Sequence, residues 1–417
     1  MKPFLIIPPS APREICPELP LSKSIANRQL CIRHLSGSNL PVSIPGSQDC
    51  LNMDSLLRQL SQDTRAMVFD CGDAGTVFRF LTAVLAITEG KRTLTGSARM
   101  QQRPCGPLVE ALQHLGAEVS YSGKPGFPPL EITGKPLLGG YVEIEASVSS
   151  QFISALMMIA PLMPLGLHIK LTGNPVSAPY IGMTAGLMRE QGIEVTEAPG
   201  LIVVKPGTYH FQSETAESDW SSASYWFAFA AMKKDAVITL LGLKENSLQG
   251  DSRLVHIFNH LGVSTSRDGE KIVISHNGNT DSVISVDFTP FPDLFPAVAV
   301  TCAGLRLKAR FTGLKTLTIK ESNRIESVGT ELRKLGFSAG MNADGSFAIE
   351  PGRQVNGGVV VHPWNDHRIA MAFAMLSVVC GQITMDDPGV VSKSYPGFWG
   401  ELERAGFLLT AEREDSF

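Results

Sequence analysis

Residues 108–121 read LVEALQHLGAEVSY, a helix, a stop and a strand in one run. Leu108, Val109, Leu112 and Leu115 recur at helical spacing. Gly116 follows, and glycine is the usual residue just past a helix C-terminus because it accepts the left-handed conformation. The residues after it alternate as a strand does. The same succession returns at 185–198 (AGLMREQGIEVTEA), 254–266 (LVHIFNHLGVSTS), 329–340 (GTELRKLGFSAG) and 400–411 (GELERAGFLLTA). The pivots Gly116, Gly192, Gly262, Gly336 and Gly406 fall at intervals of about 70 to 76 residues. That interval is too long for a solenoid of small repeats. It suits a duplicated unit of two helices and several strands, and so an α/β fold. A sixth, degenerate copy is MDSLLRQLSQ at 53–62, which lacks the glycine.

Between the pivots lie five strongly apolar helices: TVFRFLTAVLAI (76–87), QFISALMMIAPLM (151–163), SSASYWFAFAAM (221–232), DLFPAVAVTCAGL (293–305) and HRIAMAFAMLSVV (367–379). A helix apolar nearly all round is buried inside a domain. Each of these nevertheless begins with polar or charged residues. Helix N-termini gathered at one surface make an anion trap, because their free N–H groups and dipoles favour negative charge.

The chain has 417 residues, 43% hydrophobic and 18% charged, enough for two or more domains with full cores. A formal net charge of -4 argues against a general nucleic-acid or membrane binder, so anion binding must come from local clusters of cations. The seven cysteines (Cys16, Cys31, Cys50, Cys71, Cys105, Cys302 and Cys380) are scattered, with no CxxC pair. Neither a zinc ribbon nor a disulfide framework is suggested, and a reducing cytoplasm is the expected location. The apolar run in MKPFLIIPPSAP is too short for a signal peptide, and the runs at 152–165 and 294–305 are too short to span a bilayer.

The charged segments carry the chemistry. At 19–28, LPLSKSIANR places Lys23, Ser24 and Arg28 at the start of a helix after Pro20. Gly75 and Thr76 open another helix, with Asp73 or Thr76 as a possible cap. Arg99 and Arg103 precede a third, and arginine grips carboxylates and phosphates bidentately. Ser149, Ser150 and Gln151 offer more hydroxyls than capping requires, and Ser177 precedes Pro179 and Tyr180. Asp293 reads as an N-cap or as a general base. Lys320 and Arg324 stand i and i+4, which on a helix puts both cations on one face, with Glu321 offset. His367 and Arg368 stand at the mouth of a buried helix, where charge needs partners. His367 is better read as an acid, base or anion donor than as a metal ligand. Lys393 adds a further cation. P-loop, nucleophile-elbow, HExxH and EF-hand motifs are absent.

Together the segments LPLSKSIANR, DAGTVFRFL, RMQQRPCGPL, SVSSQF, SAPYI, ESDWSSASYW, QGDS, Pro292-Asp293, KESNRIE, NDHRIAMAF and KSYPGFW closely resemble the 5-enolpyruvylshikimate-3-phosphate synthase family of enolpyruvyl transferases. They run in order from residue 19 to 399. The resemblance implies two similar domains, each of three βαβαββ repeats with buried helices, an inside-out α/β barrel. One domain would span 20–217 and the other 1–19 with 218–417, with Pro20 at the hinge. It also implies transfer of the enolpyruvyl group of phosphoenolpyruvate to the 5-hydroxyl of shikimate 3-phosphate, in chorismate and aromatic amino acid biosynthesis. No metal or organic cofactor is implied, and a cytoplasmic monomer acting on small molecules is expected.

Carried over by motif, Ser24, Arg28, Ser149, Ser150, Gln151, Ser177 and Lys320 would hold shikimate 3-phosphate, with Lys23 and Asp293 also in reach. Lys23, Gly75, Arg103, Gln151, Arg324, Arg368 and Lys393 would hold phosphoenolpyruvate. Asp293 would take the proton of the 5-hydroxyl, Glu321 would protonate the methylene carbon, and Lys23 and His367 would support proton transfer and the leaving phosphate. Two phosphates and a carboxylate must be drawn together against their repulsion, which the resemblance assigns to a closing cleft that excludes water. The chain departs from the family pattern at Leu21 (usually Gly), at Thr316 (usually Asn), at Phe80 (often Pro or a small residue) and in a short segment, 36–50. A related UDP-N-acetylglucosamine enolpyruvyl transferase would need a Gly-Gly-Cys-Ala-Ile-Gly loop, which is absent. A catalytically dead, metabolite-sensing relative is disfavoured because every acid/base position is filled.

Overall fold

A computed structural model describes residues 2–10, 14–62, 67–213, 215–269, 271–352 and 357–411. The chain divides into two compact units, one of Ser22–Ala216 and one of Met1–Leu21 with Glu217–Phe417.

The repeat read from the glycines is visible in the sheets. Among the described residues five four-stranded sheets share one plan. The first two strands pair parallel, the fourth joins the second antiparallel, and the third lies outside the fourth. In the Ser22–Ala216 unit the sheets comprise Val68–Asp70, Gly90–Thr95, Glu118–Tyr121 and Leu130–Gly134, then Gly140–Glu145, Leu167–Thr172, Val195–Ala198 and Leu201–Val204. A helix follows each of the first two strands, giving βαβαββ. The helices of this unit are α1 (Lys23–Leu35), α2 (Gln48–Gln62), α3 (Gly75–Ile87), α4 (Gly106–His114), α5 (Ser150–Ile159) and α6 (Ala178–Glu190). Helices α1 and α2 belong to the degenerate copy and have no sheet of their own among the described residues.

The other unit has three such sheets: Glu14–Ile15 with Val237–Leu240, Leu261–Asp268 and Lys271–Thr280; Val283–Asp287 with Lys308–Thr312, Ser338–Met341 and Phe347–Glu350; and Val359–Val361 with Ile383–Met385, Leu408–Ala411 and Phe4–Ile7. In the third sheet the fourth strand comes from the start of the chain, with Phe4–Ile7 lying between Ile383–Met385 and Leu408–Ala411. Its helices are α7 (Trp220–Met232), α8 (Leu254–Asn259), α9 (Phe295–Gly304), α10 (Arg324–Lys334), α11 (His367–Cys380) and α12 (Phe398–Arg404).

All five pivot glycines have positive φ, from +83° at Gly262 to +94° at Gly406. This conformation costs a residue with a Cβ about 1–2 kcal/mol, so the glycine lets the strand leave the helix end sharply. The apolar helices are the ones inside. Every residue of α9 is buried, as are twelve consecutive residues of α7 from Trp220 to Ala231, and α7, α9 and α11 pack on one another. Four phenylalanines, Phe288, Phe295, Phe311 and Phe347, meet edge to face at 5.4–6.0 Å and seal α9 against its sheet. Two expected helices are shorter than their apolar runs. The one from 151 gives way to a 3-10 turn at Ala160–Leu162, and the one from 293 begins only at Phe295, after a 3-10 turn over Pro292–Leu294. Among the described residues no helix is long and apolar enough to cross a membrane.

Candidate active site

Burial of these helices fixes where their polar N-termini come together. In the unit containing α7 to α12, three N-termini converge on one buried charge network. Asp293 lies in the 3-10 turn before α9, Arg324 is the first residue of α10, and Asp366 caps α11 by accepting from the Arg368 N–H at 3.0 Å. Arg324 is 1% exposed and spends its whole guanidinium on carboxylates. Nη1 lies 2.7 Å from Asp293 Oδ1, Nη2 2.8 Å from Glu321 Oε2, and Nε 2.8 Å from Asp366 Oδ2. Arg368 Nη2 is 2.9 Å from the other Asp293 oxygen, Oδ2, and Lys320 Nζ is 3.3 Å from Oδ1. Ser322 donates to Asp366 Oδ2 at 3.1 Å. His367 is also buried, its Nδ1 4.0 Å from Asp366 Oδ1.

The electrostatics follow from this packing. Burial alone would push the Asp293 carboxyl up, but Arg368, Lys320 and Arg324 outweigh it and hold the group well below the usual carboxylate range. Burial pulls the Lys320 ammonium down despite the facing Asp293 carboxylate. Asp251, in the QGDS segment, is buried, accepts from Ser221 Oγ, and leaves Oδ1 without a hydrogen-bond partner among the described residues. Burial first, and the Asp293 charge second, push its carboxyl up to about 7.

The Ser22–Ala216 unit gathers cations and hydroxyls. Lys23 is the first residue of α1 and lies 2.9 Å from Asp49 Oδ2. Ser24, on the next position, is half-buried. Arg28 is 2% exposed and has no carboxylate partner among the described residues. Instead Nε donates to Thr184 Oγ1 at 2.7 Å, Nη1 to the Ser24 carbonyl at 2.8 Å, and Nη2 to Ser154 Oγ at 3.2 Å and the Tyr180 carbonyl at 3.3 Å. Burial lowers its pKa to about 10. The Phe80 ring lies 5.3 Å from this guanidinium, so that departure from the family pattern packs on Arg28 as a cation–π partner.

Gly75 begins α3 beneath two arginines. A Cβ there would lie 2.3 Å from Arg79 Nη1 and 2.6 Å from Arg103 Nη1. Arg103 donates to the Asp73 carbonyl at 3.3 Å, and Arg79 to the Pro104 carbonyl at 3.2 Å. Gln151, on α5, donates to Thr76 Oγ1 at 2.9 Å, joining the N-termini of α5 and α3, and Ser149 caps α5. Ser150 is buried in the first turn of α5. Ser177 precedes α6 in a left-handed conformation, φ 54°, and caps nothing with its side chain. A non-glycine residue held there reflects local strain of the kind that collects at functional sites.

The structure corrects several geometric expectations. Lys320 and Arg324 share no helix face, because a 3-10 turn ends at Ile319, Asn323 caps α10 with its side chain, and α10 starts only at Arg324. The two cations meet through Asp293 instead. Neither Asp73 nor Thr76 caps α3, where Ala74 holds the cap position. Asp293 does not hold the cap position of α9, which falls to Leu294, and its carboxylate serves the arginines. Lys393 ends a 3-10 turn, Pro388–Lys393, and is half-buried. Thr316 is buried in the 3-10 turn Lys315–Ile319, and Leu21 forms a bridge with Ser218.

Sequence reading gave no role to Asp366, Arg79, Asp251 or Asp49. Asp366 had a signal, an acidic residue directly before a buried His-Arg helix start. Arg79 had a weaker one, a glycine four residues earlier that leaves room for its guanidinium. The Lys23–Asp49 pair spans 26 residues of chain and had none. Among the described residues no group of three or more His, Cys, Asp or Glu could hold a metal ion.

A five-sheet α/β architecture of repeated βαβαββ units with buried helices, whose N-termini concentrate arginine and lysine around carboxylates, defines an enzyme class built for multiply anionic substrates. The family model for EPSP synthase (3-phosphoshikimate 1-carboxyvinyltransferase) matches residues 16–402. A 3-phosphoshikimate 1-carboxyvinyltransferase of Bacteroides fragilis is 44% identical over 411 residues, covering 97% of this chain and 99% of the relative. One from Methanospirillum hungatei is 40% identical over 338 residues, 80% of this chain and 77% of the relative. A solved EPSP synthase from Acinetobacter baumannii shares the fold, with a TM-score of 0.77 at 22% identity over 98% of this chain and all of that one. The chain belongs to the EPSP synthase family.

Proposed function

We propose that this chain transfers the enolpyruvyl (carboxyvinyl) group of phosphoenolpyruvate to the 5-hydroxyl of shikimate 3-phosphate and releases orthophosphate. Family membership supports the reaction. The observation that carries the residue roles is the placing of Asp293 between Arg324 and Arg368, at 2.7 and 2.9 Å, with Lys320 and Glu321 on the same cluster.

Lys23, Gly75, Arg103, Gln151, Arg324, Arg368 and Lys393 hold phosphoenolpyruvate. Ser24, Arg28, Ser149, Ser150, Gln151, Ser177 and Lys320, with Lys23 and Asp293, hold shikimate 3-phosphate. Asp293 accepts the 5-hydroxyl proton as that oxygen bonds to C2 of phosphoenolpyruvate. Glu321 gives a proton to C3, so the methylene becomes a methyl and C2 becomes tetrahedral. The C2–O bond to phosphate then breaks, and the methyl returns a proton to Glu321, restoring the double bond. Lys23 and His367 assist the proton transfers and the departing phosphate. Fixed cations stabilise the charge that develops in the transition state.

The ion pairs of Asp293 give this scheme a control. A carboxylate pinned by three cations is a weak base. The phosphate and carboxylate of phosphoenolpyruvate compete for Arg324 and Arg368, so binding draws those cations from Asp293 and raises its proton affinity when a base is needed. The same reading makes the cytoplasm the expected compartment, since its phosphorylated substrates do not cross a bilayer unaided.

The deciding experiment measures phosphate release from phosphoenolpyruvate with shikimate 3-phosphate or UDP-N-acetylglucosamine as acceptor. Release with the first alone is expected. Release with the second alone, or with neither, overturns the reading.

A further inference from the structure

Among the buried carboxylates to which the scheme above gives no step is Glu331. It lies on α10 seven residues after Arg324, and that spacing puts both on one helix face. Glu331 has no solvent exposure, and its oxygens are fully engaged. Oε1 accepts from Trp364 Nε1 at 2.8 Å, Oε2 from the His362 backbone N–H at 3.2 Å, and Lys334 Nζ lies 2.9 and 2.8 Å from the two oxygens.

The segment that Glu331 grips is held in an unfavourable conformation. Trp364 and Asn365 have φ of 57° and 55°, two successive non-glycine residues in the left-handed region. Such a pair persists only where its surroundings over-determine it. Here the surroundings are Glu331 and the His362 ring, edge-on to Trp364 with centroids 5.4 Å apart. The turn delivers the chain to Asp366 and Arg368, the first partnered with Arg324 Nε at 2.8 Å and the second with Asp293 at 2.9 Å. Helix α10 therefore holds the 362–366 turn at two points, through Glu331 and through Arg324.

We propose that Glu331 is a positioning residue, which by holding His362 and Trp364 fixes the left-handed turn that presents Asp366 and Arg368 to Arg324 and Asp293. The proposal rests on the reading of Arg324 and Arg368 as phosphoenolpyruvate ligands. It goes beyond that reading by making the aim of Arg368 depend on a residue that touches neither substrate.

The test compares Glu331→Gln, Trp364→Phe, their double variant and Arg368→Lys by steady-state kinetics with each substrate varied, alongside thermal melting. Glu331→Gln keeps the volume and loses one strong acceptor. Trp364→Phe removes the indole donor and part of the ring while keeping an aromatic face, from a residue that is 37% exposed, so it keeps the test alive should the first variant fold poorly. Both single variants are expected to raise KM for phosphoenolpyruvate at least fivefold and lower kcat, with KM for shikimate 3-phosphate within twofold. The double variant is expected to be no worse than the worse single. Unchanged KM values in Trp364→Phe, with Arg368→Lys raising that for phosphoenolpyruvate, overturn the positioning role alone. Should Arg368→Lys leave KM for phosphoenolpyruvate unchanged, the ligand assignment fails and this inference falls with it.

Discussion

Arg324 Nη1 lies 2.7 Å from Asp293 Oδ1, the same carboxylate oxygen that faces Lys320 Nζ at 3.3 Å. One oxygen of the base is thus shared by a permanent cation and by a lysine that can give up its proton, while Oδ2 is held by Arg368. The arrangement fixes the orientation of the carboxylate before substrate arrives.

If Asp293 takes the hydroxyl proton and Glu321 supplies the one at C3, replacing either acid removes chemistry and little binding. Asp293→Asn and Glu321→Gln are each expected to lower kcat by about 10²–10⁴, the usual range for a general acid or base. Affinity for shikimate 3-phosphate by calorimetry should stay within a few-fold. Near-normal turnover in either variant removes that role.

Asp251 predicts a specific pH signature in stability. Its folded carboxyl is pushed up to about 7 by burial, above the ordinary carboxylate value of about 3.9 in an unfolded chain. Between those two values the folded state binds more protons than the unfolded one, so this group's contribution to stability falls as pH rises from about 4 to about 7. Asp251→Asn keeps an acceptor for Ser221 and removes the titration. Urea denaturation at pH 5 and pH 7.5 should show the variant gaining on the parent as pH rises; a constant difference contradicts the shift.

Gly75 has no left-handed backbone, so its requirement is space. In Gly75→Ala the new methyl displaces the tips of Arg79 and Arg103, which are the ends of flexible side chains. The expected outcome is an unchanged melting temperature and KM for phosphoenolpyruvate raised about tenfold, equivalent to about 1.4 kcal/mol. Binding of shikimate 3-phosphate should be little altered. A large drop in melting temperature with normal kinetics would place the glycine in packing alone.

Arg28 has two tasks in one side chain. Three of its four hydrogen bonds tie α1 to Ser154, Tyr180 and Thr184, the fourth stays within α1 on the Ser24 carbonyl, and its charge has no carboxylate partner among the described residues. Arg28→Ala is expected to weaken shikimate 3-phosphate binding tenfold or more in calorimetry, since a hydrogen bond to a charged group contributes about 1.5–3 kcal/mol. It should also lower the melting temperature, because Ser154 and Thr184 lose a buried donor. Unchanged affinity would leave only the structural task.

What could be read from the sequence was what repeats locally. The pivot glycines and the apolar helices follow from helical periodicity and from the conformation only glycine accepts easily, and they imply the five sheets. The site was legible where a motif held neighbouring residues together, as with Ser149 to Gln151 and Asp366 to Arg368. It was not legible where the partner lay far along the chain, as with Arg28 and Thr184, or Asp293 and Arg324. The misreadings, a helix through Lys320 and a cap at Asp73 or Thr76, came from trusting spacing and residue type where Asn323 starts α10 and Ala74 holds the cap position of α3. No periodicity marks the Asn323 cap, which rests on a local bond from the Glu326 N–H to the Asn323 side chain.

The strand Phe4–Ile7 has a consequence for how the chain is made. It is the inner strand of a sheet whose neighbours are Ile383–Met385 and Leu408–Ala411. On the ribosome it emerges before the whole Ser22–Ala216 unit, and it has no partner strand until Ile383–Met385 and Leu408–Ala411 have been synthesised. The Ser22–Ala216 unit is one continuous stretch and can condense as soon as it leaves the exit tunnel. The unit carrying Asp293 and Arg324 cannot be completed until Leu408–Ala411 arrives. Its buried charges therefore meet late, after the other unit has had time to fold.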